Sequence, residues 1–250
     1  MSEPSVSYVI PVHNQIADLR RTVRLLVARL GHLPGSEIIL VENGSTDGSG
    51  PLCLSLAAAM GSEDVAVRVT TSAKGLGFAW RRGIALARGD TFVLTAADLP
   101  FGFTDLDGYL GLSPRPQLVM GSKSHRESQI ETPMVRRAMS AGFGILRARL
   151  IGLDLDTQGS VLIQRSLAQL LLPRLRAGDY LIGAEINMWA VHEGVAPLEI
   201  PVVYTASGRS TVSPLRDSVS MAAGLLALRR RLADEQRPSA RTSASEATPS

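Results

Sequence analysis

The stretch GDTFVLTAADLPFGF (89–103) delivers one carboxylate, Asp98, just after a run of apolar and β-branched residues. A single acid there could ligate a cation or merely cap a helix. Two further stretches have chemical character. VENGSTDGSG (41–50) is a polar, glycine-rich turn, in which glycines supply positive φ and Ser, Thr or Asp supply caps. AKGLGFAW (73–80) sets a lysine and two glycines before an apolar helix and imitates the dinucleotide fingerprint G-x-G-x-x-G. Trp80 fills the third glycine position, where close packing needs a small residue, so a dinucleotide fold is disfavoured. The histidines (13, 32, 125, 192) are scattered without metal-ligand spacing, which argues against zinc.

The elements around these stretches alternate. SVSYVIPV (5–12) reads as a strand. NQIADLRRTVRLLVARLG (14–31) reads as a helix, with Ile16, Leu19, Val23, Leu26, Val27 and Leu30 at spacings of three and four, Asn14 as cap and Gly31 as stop. SEIILVE, VAVRVTTS and DTFVLTAAD read as further strands, separated by the helices GPLCLSLAAAM and GFAWRRGIALARG. Such alternation predicts βαβ units in a mostly parallel, Rossmann-like α/β sheet. Ligands of such sheets bind at the carboxyl ends of the strands, where Asp98 falls. Beyond it, PQLVMGSK (116–123) and PLEIPVVYT read as strands, and YLIGAEINMWAVHEG and 217–233 as helices. GSVLIQRSLAQLL begins as a strand and becomes a helix.

The 250 residues, 45% of them hydrophobic, are ample for one packed domain, expected over 1–234. Residues 235–250, rich in Ser, Thr, Ala, Pro and Arg, read as a disordered tail. The one cysteine, Cys53, excludes an intrachain disulfide and fits a reducing cytosol. No run is long enough for a spanning helix, and the N-terminus lacks the basic region of a signal peptide. Aromatic residues make up 4%, too few for base stacking, so a nucleic-acid partner is not expected. Residues 132–153 carry Arg136, Arg137, Arg147 and Arg149 and no acid before Asp154, among Val135, Met139, Phe143, Leu146 and Leu150. That pattern suits a basic amphipathic helix on a membrane surface, or a core helix with a solvated basic face. Residues 221–233 invite the same reading.

Taken together, VIPVHNQ, ILVENGSTDGS, AKGLGFAWRRGIALARGD, VLTAADLPF, VMGSK and LDTQGSVLIQR resemble, in order and approximate spacing, the GT-A glycosyltransferases of family 2. Within that family the polyprenyl-phosphate sugar synthases are most similar, with phrases such as VIPAYNE, VDDGSKD, GKGGAVRxG, ADADGAT, GSR and DTQCGFK. The resemblance runs from about Val6 to Arg209 and is less specific for the sugar than for the family. It implies a GT-A-type fold with a nucleotide half at about 5–100 and an acceptor and membrane-facing half at about 101–234.

The resemblance also implies roles. Pro11, Val12, His13 and Gln15 would border the nucleoside, with Gln15 where relatives often have Glu. Glu42 and Asn43, in place of an acidic pair, would read the base. Lys74, Gly75 and Ala97 would lie against the nucleotide. Asp98 would be the second acid of D-x-D, holding Mg²⁺ or Mn²⁺ on the donor diphosphate, but Ala96 replaces the first acid. Metal affinity should then be lower, or the ion held mainly by diphosphate and water; loss of catalysis is the alternative. Lys123 stands for the arginine after GS, and Asp156 and Gln158 match DTQ near the acceptor side of the donor sugar, with Gly159 where relatives have cysteine. Glu185 matches the second acid of FDVELL, and Gly183 replaces the first. Arg209 falls where relatives place a basic residue near the phosphates. The implied reaction moves one sugar from a nucleotide-sugar donor, UDP-linked by resemblance, to polyprenyl phosphate, inverting the anomeric centre. The enzyme would sit peripherally on the cytoplasmic face of a membrane or dock onto a membrane-protein partner. A family 2 transferase with a soluble or polysaccharide acceptor, and a non-catalytic nucleotide-sugar-binding module, are the alternatives.

Overall fold

In the computed structural model, residues 3–62, 64–131, 144, 147–150, 152, 155–157, 159–205 and 214–235 are described. The first half is a run of βα units: β1 (Val6–Val12), α1 (Leu19–Leu30), β2 (Ser36–Glu42), α2 (Ser49–Met60), β3 (Val65–Thr71), α3 (Leu76–Leu86) and β4 (Thr91–Leu94). Then come α4 (Thr104–Leu110), β5 (Leu118–Ser122), β6 (Gln129–Glu131), β7 (Ser160–Gln164), α5 (Arg165–Leu171) and a 3₁₀ turn (Leu172–Arg174). The chain continues through α6 (Ile182–His192), β8 (Leu198–Pro201), β9 (Val203–Thr205) and α7 (Pro214–Glu235).

Seven strands form one sheet in the order β3-β2-β1-β4-β7-β5-β8, and β6 pairs with β9 in a small second sheet. The main sheet is parallel except for β7, which runs antiparallel to both β4 and β5. The expectation of a mostly parallel α/β sheet therefore holds. Helices cover both faces, so the central strands read as near-continuous apolar runs rather than alternating ones. Tyr8, Ile10, Ile38, Leu40, Val93 and Leu162 pack on one face with Leu19, Val23 and Leu26 of α1. Val9, Ile39, Phe92, Leu94, Met120 and Ile163 pack on the other with Trp80, Leu167 and Trp189. Each fully buried aliphatic or aromatic side chain contributes about 1.5–3 kcal/mol.

Three expected elements differ, each for a local reason. Helix α1 begins at Leu19 rather than near 14, because Asn14 takes φ +54° and its Oδ1 accepts the Thr46 amide at 2.8 Å instead of capping a helix. The strand expected to reach Asp98 ends at Leu94, and Asp98 lies in the turn beyond it. PLEIPVVYT is two strands, divided at Val202, whose backbone turns to accept the Gln129 amide and donate to Ser128 Oγ. Helix α4 and the short β6 carry no periodic signal and were not expected. Most of the basic segment 132–153 and the tail from 236 onward lie outside the described residues. Among the described residues, no helix is long and apolar enough to cross a membrane.

Candidate active site

The carboxyl ends of β1 to β5 line one edge of the sheet. Because β7 is antiparallel, its start meets the same edge: Val161 pairs with Leu94 and Ser160 with Gly121. The turns after β1, β2 and β3, the Asp98 turn, and residues 155–157 and 159 beside Lys123 thereby share one rim.

The turn after β1 is fastened to the turn after β2. Asn14 donates its amide to Ser45 Oγ, Gln15 to Ser49 Oγ at 2.9 Å and Ile16 to Asp47 Oδ2. Asp47 Oδ1 in turn accepts the Ser49 amide and hydroxyl. The polar turn is therefore both a helix-capping device and the frame of the rim. Pro11 pairs with Val41 across the strands, and the Val12 carbonyl accepts the Asn43 amide at 2.9 Å. Glu42 is turned onto its own loop, where Oε1 accepts the Ser45 amide at 2.5 Å. Burial works against ionisation of Glu42, but the Ser45 amide and hydroxyl, the Gly44 amide and the His13 charge outweigh it and lower the pKa. Asn43 is 3% exposed, and its Oδ1 has no hydrogen-bond partner among the described residues. Nδ1 of half-buried His13 is likewise without one. Buried polar atoms are rarely left so, and these two mark a place where an incoming group would be bonded.

Lys74 is exposed above the Gly44 turn, and Ser72 donates its amide to the Glu42 carbonyl. Gly75 has φ +135°, and a Cβ there would overlap the Gly178 carbonyl oxygen. Only glycine allows that approach.

The Asp98 turn is held from two sides. Thr22 Oγ1 of α1 donates to the Ala97 carbonyl at 2.6 Å, and Trp80 Nε1 of α3 donates to the Thr95 carbonyl at 3.4 Å. Trp80, the residue that spoils the dinucleotide fingerprint, thus braces this loop. Leu99 takes φ +46°, which a branched side chain rarely adopts and which costs on the order of 1–3 kcal/mol. Burial of Leu99 and Phe101 offsets that cost. Asp98 is half-buried and Ala96, at the missing first acid, is exposed. No group of three His, Cys, Asp or Glu able to hold a metal occurs among the described residues. Asp98 offers one carboxylate at this turn, and a magnesium-type site can be completed by substrate phosphates and water around one or two carboxylates.

On the opposite side of the rim, Asp156 is 8% exposed. Its Oδ2 accepts the Lys123 amide at 3.0 Å, and its own amide donates to Glu199 Oε1 of β8 at 2.6 Å. A Cβ at Gly159 would overlap the Gly121 carbonyl oxygen, so the cysteine of relatives has no room in this backbone. The Lys123 ammonium lies 5.5 Å from the Tyr204 ring centroid, and Phe101 meets Tyr204 edge-on at 6.1 Å. Arg147 differs from expectation. It is 5% exposed and reaches Thr157 Oγ1 at 3.4 Å, so it faces the rim rather than a membrane, whereas Arg149 is exposed. Gln158, Arg209, Arg136 and Arg137 lie outside the described residues. The sequence reading missed Tyr204, Glu199 and the inward turn of Arg147. Tyr204 and Glu199 sit in an ordinary apolar strand pattern, and Arg147 was one arginine among four.

The sequence profile described as Glycosyl transferase family 2 matches residues 7–167. The dolichyl-phosphate beta-glucosyltransferase of Saccharomyces cerevisiae is 25% identical over 90% of this chain and 74% of its own length. The dolichol-phosphate mannosyltransferase of Mycosarcoma maydis is 31% identical over 58% of this chain and 51% of its own length. The chain thus spans about three quarters of the first relative and about half of the second. In fold it is similar to glucosyl-3-phosphoglycerate synthase from Mycobacterium tuberculosis, solved with Mn²⁺ and UDP-glucose. The TM-score is 0.62 at 20% identity, covering 90% of this chain and 77% of that one.

Proposed function

The chain belongs to glycosyl transferase family 2, and from that premise we propose that it transfers one sugar from a nucleotide-diphosphate donor, UDP-linked, to the phosphate of a polyprenyl lipid. The observation that carries this reading is the antiparallel β7, which sets Asp156 and Lys123 on the same edge as Asn43 and the Asp98 turn. One edge then offers unpartnered polar atoms of Asn43 and His13 to a base, a carboxylate to the diphosphate side and a cationic, aromatic corner to an acceptor. The relatives that act on dolichyl phosphate support the lipid acceptor.

In this reading Asn43 Oδ1 accepts from the base, with His13, Gln15, Pro11 and Val12 bordering the nucleoside and Glu42 shaping the turn. Lys74 and Gly75 flank the diphosphate, against Ala97. Asp98 would hold a divalent cation, Mg²⁺ or Mn²⁺, which when bound neutralises charge on the departing diphosphate. Lys123, held over Tyr204, attracts the acceptor phosphate. A phosphate monoester has its second pKa near about 6, so it is largely ionised at neutral pH and needs no strong base to attack. Direct displacement inverts the anomeric centre. Asp156 and Gln158 meet the sugar hydroxyls, and Arg209 the phosphates. Rate enhancement then rests on alignment and on fixed positive charge. Docking would be peripheral, on the cytoplasmic face of a membrane, with 5–100 serving the donor and 101–234 the acceptor.

A donor screen tests the proposal: purified full chain, polyprenyl phosphate in anionic vesicles, a panel of UDP- and GDP-sugars, and product mass spectrometry. A lipid product one hexose heavier with a UDP-sugar is expected. Transfer only to soluble acceptors would favour the other acceptor class, and binding without any turnover would favour a non-catalytic module.

A further inference from the structure

Glu185 lies off the rim, in the first turn of α6, and is 0% exposed. A carboxylate so deeply buried is costly unless paired and hydrogen-bonded. Here it is both. Its two oxygens accept the Arg176 amide at 3.0 and 2.9 Å, and Oε2 accepts the Ala177 amide at 2.7 Å. The Arg231 guanidinium of α7 closes on Oε1 and also bonds the Arg174 carbonyl. Arg231 is fixed further by the Trp189 ring, whose centroid is 5.7 Å away.

The segment that Glu185 holds is the one that walls α3. The Gly178 carbonyl accepts the Gly77 amide at 3.1 Å and abuts Gly75. Contact therefore runs without a break from Arg231 through Glu185 and residues 176–178 to Gly75, next to Lys74. We propose that Glu185, clamped by Arg231, is a positioning residue for the nucleotide side of the site, so that the C-terminal helix bears on donor binding from outside the rim. The inference rests on the nucleotide role given to Lys74 and Gly75. It makes half-buried Arg231 a clamp on Glu185 rather than part of the membrane-facing or solvated basic face expected of 221–233.

Hydrogen exchange with peptide-level readout, set beside calorimetric titration with UDP, tests it on the full chain bearing Arg231→Met, Arg231→Lys or Glu185→Gln. The Gly77 amide reports the contact directly, because its partner is the Gly178 carbonyl. In Arg231→Met, exchange over 72–80 and 174–180 should quicken by about tenfold or more, as expected for a locally loosened unit. UDP should bind about five- to tenfold more weakly, the donor KM should rise with kcat kept, and Arg231→Lys should recover most of each loss. If Glu185→Gln fails to fold, Arg231→Met carries the test. Unchanged exchange over 72–80 overturns the proposal, and so does faster exchange with UDP affinity intact, which would make the clamp a structural brace only. Absence of UDP binding by the wild type would sink the nucleotide reading, while the exchange result still decides the clamp.

Discussion

Asp156 accepts the backbone amide of Lys123 at 3.0 Å, joining the start of β7 to the end of β5 across more than thirty residues of sequence. The same residue donates its own amide to Glu199 of β8, so three neighbouring strands are locked at the rim. Asp156 therefore fixes the backbone that carries Lys123, and in the proposed reaction its carboxylate also meets the sugar.

Asp156→Asn should leave UDP affinity nearly intact and lower turnover with the full donor. An amide oxygen can still accept from Lys123, so that bond, worth about 1 kcal/mol net, should survive the substitution. Transfer rates and UDP titration on one preparation check this. An equal loss in both would show that nucleotide and sugar are not handled by separate parts of the rim.

Asn43 should dominate base recognition. Asn43→Leu removes a buried acceptor and leaves a base donor unpaired, which costs about 1–3 kcal/mol, or roughly tenfold or more in UDP affinity. Glu42→Ala should act mainly through the turn, through loss of the Ser45 contact. Isothermal titration with uridine and with UDP separates base from diphosphate binding. Unaltered uridine binding in Asn43→Leu would remove Asn43 from that role.

Two buried acids should give stability opposite pH dependences. Glu37 is opposed by burial, but Arg68, the Ser7 hydroxyl and the Arg88 amide outweigh it and lower its pKa. Its stabilisation is present above the unfolded value near 4.5 and is lost as pH falls through the folded pKa. Asp105 is raised above 3.8 by burial first and by the Asp107 charge. Its favourable contribution is present below 3.8 and is lost as pH rises through the folded pKa. Denaturant midpoints at acid and neutral pH should therefore show Glu37→Gln destabilised chiefly at neutral pH. Asp105→Asn should gain on the wild type as pH rises. Parallel pH profiles for both variants and the wild type would contradict the assignment.

Arg229 and Arg230 are exposed on α7, unlike Arg231. If this face meets lipid, each charge contributes about 1 kcal/mol at an anionic surface. Arg229→Gln with Arg230→Gln should weaken vesicle binding by about tenfold or more at low salt, with the difference shrinking as salt screens the charges, and with UDP affinity unchanged. Sedimentation with anionic vesicles reads it. Undiminished binding would leave this face simply solvated.

Much of the frame was legible because βα alternation and apolar runs follow directly from burial on both faces of a parallel sheet. The direction of β7 was not, since SVLI is buried on both sides and an apolar run carries no polarity. Nor was the end of β4 legible. TAAD continues the run in composition, but Leu99 at positive φ turns the chain, held by Thr22 and Trp80 from other helices. Arg147 and Arg231 were indistinguishable in sequence from their solvated neighbours. What turns each inward is a contact that the helical pattern does not announce: Thr157 for Arg147, and Glu185, the Arg174 carbonyl and the Trp189 ring for Arg231.

The most direct measurement compares wild type and Asp98→Ala in a transfer assay with UDP-glucose, polyprenyl phosphate and Mg²⁺ or Mn²⁺, read by mass spectrometry of the lipid. The expected result is a polyprenyl-phospho-hexose from the wild type. The variant should stay folded and form it at least about a hundredfold more slowly, the scale of losing one electrostatic stabiliser. Ala96→Asp should lower the cation concentration needed. A lipid product formed equally fast by Asp98→Ala, or none formed by the wild type with any nucleotide sugar, would contradict the account.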